Sequence, residues 1–135
     1  MQKVLSGLVL FFLAACASEP PAPLGPAVVV PSGPGLSASE IRNQLVGNTG
    51  TGPMSGSLAN FSVYLAPDGS AIAKLPSGVD QGRWRVSQDD QLCMVWERYR
   101  NGQEFCQRVY RDGDVYRLVN NNSVEVLRFQ AGKTI

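Results

Sequence analysis

From Phe61 onward, short apolar stretches recur at a spacing of roughly ten residues with turn-forming residues between them, and this rhythm constrains the fold most. Residues 61–66 run into Pro67-Asp68-Gly69-Ser70, and residues 71–75 return. Residues 76–81 read as a loop before a strand over 83–87. Asp89-Asp90 then turns into 92–98, and Asn101-Gly102 into 104–111. Asp112-Gly113-Asp114 leads into 115–120, and Asn121-Asn122-Ser123 into 124–130. The glycine-rich stretch after Gly47 reads as a frayed loop or a short first strand near Thr49. The chain is therefore all-β, an antiparallel up-and-down meander of about seven to eight strands. Such a meander must curl into a barrel or half-barrel to bury its apolar face and protect its edges. Period-two alternation agrees: Met94 and Trp96 share one face, Cys93 and Val95 the other, and Trp84 and Val86 lie opposite Arg83 and Arg85.

One short N-terminal helix precedes the strands. Ser37 can cap it, Glu40 completes a capping box, and Leu36 can staple onto Ile41. Ile41 and Leu45 share a face and Gly47 terminates, so the helix is predicted over 38–46, its apolar stripe plugging or flanking the β core.

The first fifteen residues have the parts of an export signal: Lys3, an apolar run, then Leu13-Ala14-Ala15-Cys16. About ten apolar residues are too few for a membrane span, which needs roughly 20. Small residues directly before a cysteine are the arrangement lipoprotein processing uses. Residues 1–15 are thus expected to be a lipoprotein signal peptide, with Cys16 the lipidated residue that holds the chain to the membrane. Residues 16–35, which carry six of the nine prolines, form a tether, and residues 36–135 the β domain. Ala17, in place of the Asp associated with inner-membrane retention, points by resemblance to sorted lipoproteins to the outer membrane, facing the periplasm.

Lipidation also resolves the cysteine count. Of three cysteines Cys16 takes the lipid, leaving Cys93 and Cys106 as a disulfide pair in an oxidising compartment. A two-residue loop at Asn101-Gly102 would set Cys93 opposite Tyr110, whereas pairing the cysteines directly needs a longer or bulged loop. The disulfide is preferred over the turn.

From Leu36 onward eleven Lys plus Arg face ten Asp plus Glu, which argues against a nucleic-acid partner. Histidine is absent, which excludes Ser-His-Asp and Cys-His sites and the usual histidine-containing zinc sites. Asp112-Gly113-Asp114 and Asp89-Asp90 lack the ligand series of a calcium loop and read as turns. Gly47 to Gly52 has no Gly-Lys-Ser/Thr after it and is no phosphate loop. Glu97 and Glu104 flank the central hairpin and read as salt-bridge partners before they read as a catalytic pair. No catalytic residue, metal site or cofactor is expected, and the chain is read as non-enzymatic.

Eight arginines lie on or beside the strands, interleaved with aromatic residues. Arg83, Arg85, Arg98, Tyr99, Arg100, Arg108 and Tyr110 can form an anion- or sugar-binding face. The competing reading makes them solvent-facing charges that guard strands against aggregation. Trp84 and Trp96 read as core residues before they read as a ligand platform.

The order of capped helix, Gly47-Asn48-Thr49, Tyr64 with Pro67-Asp68-Gly69, Gly82-x-Trp84, Cys93-x-x-Trp96, Cys106 and the later Val109-Tyr110 and Tyr116 resembles a family of small exported Gram-negative proteins known only as a domain of unknown function. The resemblance covers most of residues 37–130. It implies a periplasm-facing domain and supplies no catalytic residue.

The sequence thus points to a lipid-anchored, non-catalytic binding or structural domain with an envelope protein or glycan as partner. The alternative is an inhibitor of an envelope-attacking hydrolase such as lysozyme, acting through a protruding loop from Arg98 to Gly102. The strand count suggests a filled interior rather than a roomy one.

Overall fold

The computed structural model describes Pro31, residues 33–54 and residues 58–135. The export signal, Cys16 and most of the tether lie outside the described residues.

Helix α1 spans Ala38–Leu45. Ser37 caps it, its side-chain oxygen accepting from the Glu40 N–H at 3.2 Å. The helix buries Ile41 and Leu45 completely, as their spacing requires. Eight strands follow: β1 Asn48–Pro53, β2 Asn60–Leu65, β3 Ser70–Leu75, β4 Gly78–Val86, β5 Gln91–Trp96, β6 Phe105–Asp112, β7 Val115–Val119 and β8 Val124–Ala131. Each pairs antiparallel with the next, and β8 closes on β1 through Asn48↔Ala131 to Thr51↔Arg128. The meander is a closed barrel, so none of these eight strands is left with an unpaired edge among the described residues.

One sequence expectation needs correction and one alternative is settled. Residues 76–81 are not all loop: β4 begins at Gly78, and Val79 to Gln81 pair with β3. Of the frayed loop or short first strand expected near Thr49, the structure has the strand, the six-residue β1 that completes the barrel. It contains no large apolar residue because glycine is what its register needs. A side-chain carbon on Gly50 would stand 2.6 Å from the Phe129 ring, so the absence of one lets that ring cover the wall. Gly82 plays the same part for Trp96, whose ring would be 2.7 Å from a Cβ there.

The conflict between turn and disulfide resolves in favour of the disulfide. Cys93 faces Cys106 directly in the β5–β6 register and the two are bonded. Asn101 and Gly102 belong instead to a longer connection over 97–104, in which Tyr99–Gly102 forms a 3₁₀ turn.

The chain enters at the α1 end. The Leu36 N–H donates to the Val109 carbonyl at 2.7 Å, and the Ala38 N–H to Asp90 Oδ1 at 2.9 Å. At the same end Gln44 Oε1 accepts from the Tyr116 hydroxyl at 3.0 Å and from Arg111, tying α1 to β6 and β7. The last residues fasten there too, Thr49 Oγ1 donating to the Gly132 carbonyl and accepting from the Thr134 N–H.

Candidate functional site

Alternate residues of each strand point inward, and the two ends of the barrel treat them differently. Toward α1, Ile41, Leu45, Leu65, Leu92 and Val109 are almost wholly buried and fill the interior. At the opposite end, where β3 passes to β4, β5 to β6 and β7 to β8, the interior opens into an apolar cavity of about 150 Å³. Phe61, Val63, Ala73 and Leu75 form one wall; Met94, Trp96 and Phe105 form the other. Pro53, Met54 and Tyr99 also line it. A dry cavity of this order takes up a ligand the size of benzene. The barrel is therefore filled at one end only, where the strand count had suggested a filled interior throughout.

Two carboxyl groups face the cavity, in opposite circumstances. Asp80, at the start of β4, accepts from the backbone N–H groups of Tyr99 and Gln81 at 2.9 Å and of Arg98 at 3.3 Å. Burial opposes its charge, but these donors and the Arg98 guanidinium 3.9 Å away outweigh it and hold the carboxyl below the usual aspartate range. Asp80 thereby pins the 97–104 connection, in which Arg100 and Asn101 both adopt left-handed backbone angles, φ 55° and 54°.

Glu125, on β8, forms no salt bridge among the described residues. Burial pushes its pKa above the ordinary glutamate value, and a hydrogen bond from Gln107 and the charge of Arg100 only partly oppose that. Gln107 itself is completely buried. Its Nε2 reaches the Leu118 carbonyl at 3.4 Å, while its Oε1 has no partner among the described residues. The Arg100 guanidinium lies 4.5 Å from the centre of the Phe105 ring and 5.7 Å from that of Tyr99. An apolar enclosure with a few polar groups in its lining is the ordinary form of a small-molecule site.

The arginines and tyrosines singled out by sequence are divided among several places. Arg83, Arg85, Arg108 and Tyr110 lie on the outer wall, on β4 and β6; Arg98, Tyr99 and Arg100 lie at the rim of the opening. Arg85 makes a two-pronged bond to Glu104, so Glu104 pairs with an arginine and not with Glu97. Arg98 bonds the Val79 carbonyl and approaches Asp80, and the Arg108 side chain lies against Gly35. Arg117 and Arg128 pair with Asp112 and Asp114, so that turn is laced by ion pairs. Asp90 caps the start of α1. Trp84 packs on the core and donates Nε1–H to the Ala66 carbonyl, whereas Trp96 both packs and lines the cavity. Cys93, Glu104 and Cys106 cluster closely, but both sulfurs are committed to the disulfide and Glu104 to Arg85.

Sequence reasoning passed over Asp80, Gln107 and Glu125. A signal was there: Phe105-x-Gln107-x-Val109 and Glu125-x-Leu127-x-Phe129 put a polar residue in the inward-facing alternation of each strand. Comparison of the chain with protein-family models, with curated proteins and with solved structures gives no match.

Proposed function

We propose that this chain is a lipid-anchored, non-catalytic binding protein of the bacterial envelope that takes a small ligand into the open end of its barrel. The observation that carries the reading is the contrast within one interior: one end closed by α1, the other an apolar cavity of about 150 Å³ with Glu125 in its wall. The anchor rests on Leu13-Ala14-Ala15-Cys16, with the outer membrane as destination because Ala17 follows. The point of entry fits this arrangement: Leu36 joins the barrel at the closed end, opposite the opening.

The rival reading, an inhibitor of a hydrolase such as lysozyme, needs a cation projecting from the 97–104 connection. Arg98, though largely exposed, is tied to Asp80 and the Val79 carbonyl, and Arg100 lies on Phe105, so the cavity is the better supported site.

The test is a titration of the isotopically labelled full chain with a neutral ligand of the right size, such as benzyl alcohol, followed by NMR. Saturable shifts confined to Phe61, Ala73, Met94, Trp96 and Phe105 are expected, and they should vanish in Ala73→Phe, which fills the space. Shifts absent from these residues, or spread evenly over the outer wall, overturn the reading. Metabolic labelling with palmitate, lost in Cys16→Ser, tests the anchor.

A further inference from the structure

Resting on that reading, we infer the chemical class of the ligand: a primary ammonium group on a small apolar body, the ammonium at Glu125 and the body among Phe61, Trp96 and Phe105. Three observations lead there. Of the two carboxyl groups at the cavity, Asp80 is saturated by backbone donors and Arg98, whereas Glu125 has no salt bridge among the described residues. Beside Glu125 the Gln107 amide is a neutral hydrogen-bonding neighbour, so no cation of the strands pairs with the carboxyl. Gln107 itself is fully buried behind the cavity lining, so the ammonium is assigned to the carboxyl alone. Finally, the cavity walls are aromatic, and aromatic faces attract organic cations most strongly where water is excluded.

The protein's own cation illustrates the last point. Arg100 spreads its guanidinium over Phe105 at the rim, with its charge acting on Glu125 from there. It remains at the rim, and the cavity wall below is left to the carboxyl. An anion would meet Glu125 and Asp80 across the same small space, and a neutral ligand would bring no charge for the carboxyl to pair with. The ammonium pairs with Glu125 in its ionised form; wherever the carboxyl is still protonated, its proton goes to solvent as the carboxylate–ammonium pair forms. The groups that bear on that ionisation are Gln107 of β6 and Arg100 of the 97–104 connection; Asp80 of β4 lines the same cavity.

Three probes of one shape separate the possibilities: benzylamine, benzyl alcohol and benzoate, titrated into the full chain by calorimetry. Benzylammonium should bind about tenfold more tightly than the alcohol, with benzoate weakest. In Glu125→Gln the amine should lose that advantage while the alcohol binds as before. As a check independent of the variant's folding, the advantage in the unaltered protein should grow as pH rises through the titration of Glu125, below the pH at which benzylamine loses its own proton. Equal binding of amine and alcohol, an advantage that survives Glu125→Gln, or one that is flat with pH overturns the ammonium assignment and leaves the cavity reading intact. If none of the three probes binds, both fall together.

Discussion

The two ends of this barrel are built from the same eight strands and differ in what fills them. At the closed end α1 lowers Ile41 and Leu45 into the interior against Leu65, Leu92 and Val109. Burying each of those two side chains contributes about 1.5–3 kcal/mol. At the open end buried residues such as Met94, Trp96 and Phe105 stand beside the small Ala73 and the partly covered Phe61, and space remains between them. Stability is thus concentrated at one end, which frees the other to carry groups that stability alone would not select. A direct comparison tests this. Leu45→Ala should cost about 3–5 kcal/mol in urea unfolding, because a packed site cannot collapse around the loss. Phe61→Ala should cost about 1–2 kcal/mol, since its neighbours already border open space. Equal costs would mean that the open end is packed in solution, and the distinction would be lost.

The disulfide belongs to neither end. Cys93 and Cys106 join β5 to β6 on the outer wall, and the connection between those strands rims the opening. Replacing both cysteines with alanine should lower stability by about 3 kcal/mol for a loop of this length. Because the freed connection carries Tyr99 and Arg100, hydrogen exchange should speed up first at residues 97–104 and last at α1. Uniform loosening would show that the bridge steadies the barrel as a whole and the opening no more than the rest.

Asp80 is the next step down in size. Asp80→Asn keeps the shape but gives the N–H groups of Tyr99 and Arg98 a neutral acceptor, a loss of about 2 kcal/mol. The pH dependence has a definite sign. A carboxyl whose pKa is lowered on folding adds stability above the ordinary aspartate pKa and loses it as pH falls through the lowered value. The gap between Asp80→Asn and the unaltered protein should therefore be full at neutral pH and shrink in acid. A gap independent of pH would place the role of Asp80 in packing rather than charge.

How much of this could be read from sequence follows the same division. The closed end was legible, because Ser37, Ile41, Leu45 and the strand alternation obey local rules of capping and period. The pairing of the cysteines was legible by count and then dictated the register. β1 was obscure, since Gly50 is explained only by Phe129, a residue 79 positions later that reaches it through closure of the barrel. The start of β4 was hidden by Pro76 and by Asp80, which resembles a turn residue until its backbone partners are seen. Arginine drew attention because it is abundant on the strands. Yet Arg85, Arg117 and Arg128 are paired on the outer surface, while the cavity is lined by Asp80 and Glu125, carboxyls that a rule of polar-outside assigns to solvent.

Glu125 should give the smallest effect and the opposite sign, which makes it the sharpest measure of how the two cavity carboxyls differ. Its pKa is raised by burial, so folding favours the protonated form. The contribution of that form is complete below the ordinary glutamate pKa and is lost as pH rises through the raised value. Glutamine keeps the size and cannot ionise. Glu125→Gln should therefore equal the unaltered protein in acid and exceed its stability by about 1 kcal/mol or less above neutral pH. Urea titrations at a series of pH values would show the two curves parting on the alkaline side for Glu125, where for Asp80 they converge on the acid side. A Glu125→Gln variant equal to the unaltered protein in acid but less stable at neutral pH would mean that Glu125 is held ionised by a partner as Asp80 is. The open end would then be a second satisfied polar cluster, without the unmatched carboxyl that marks it as a place for a ligand.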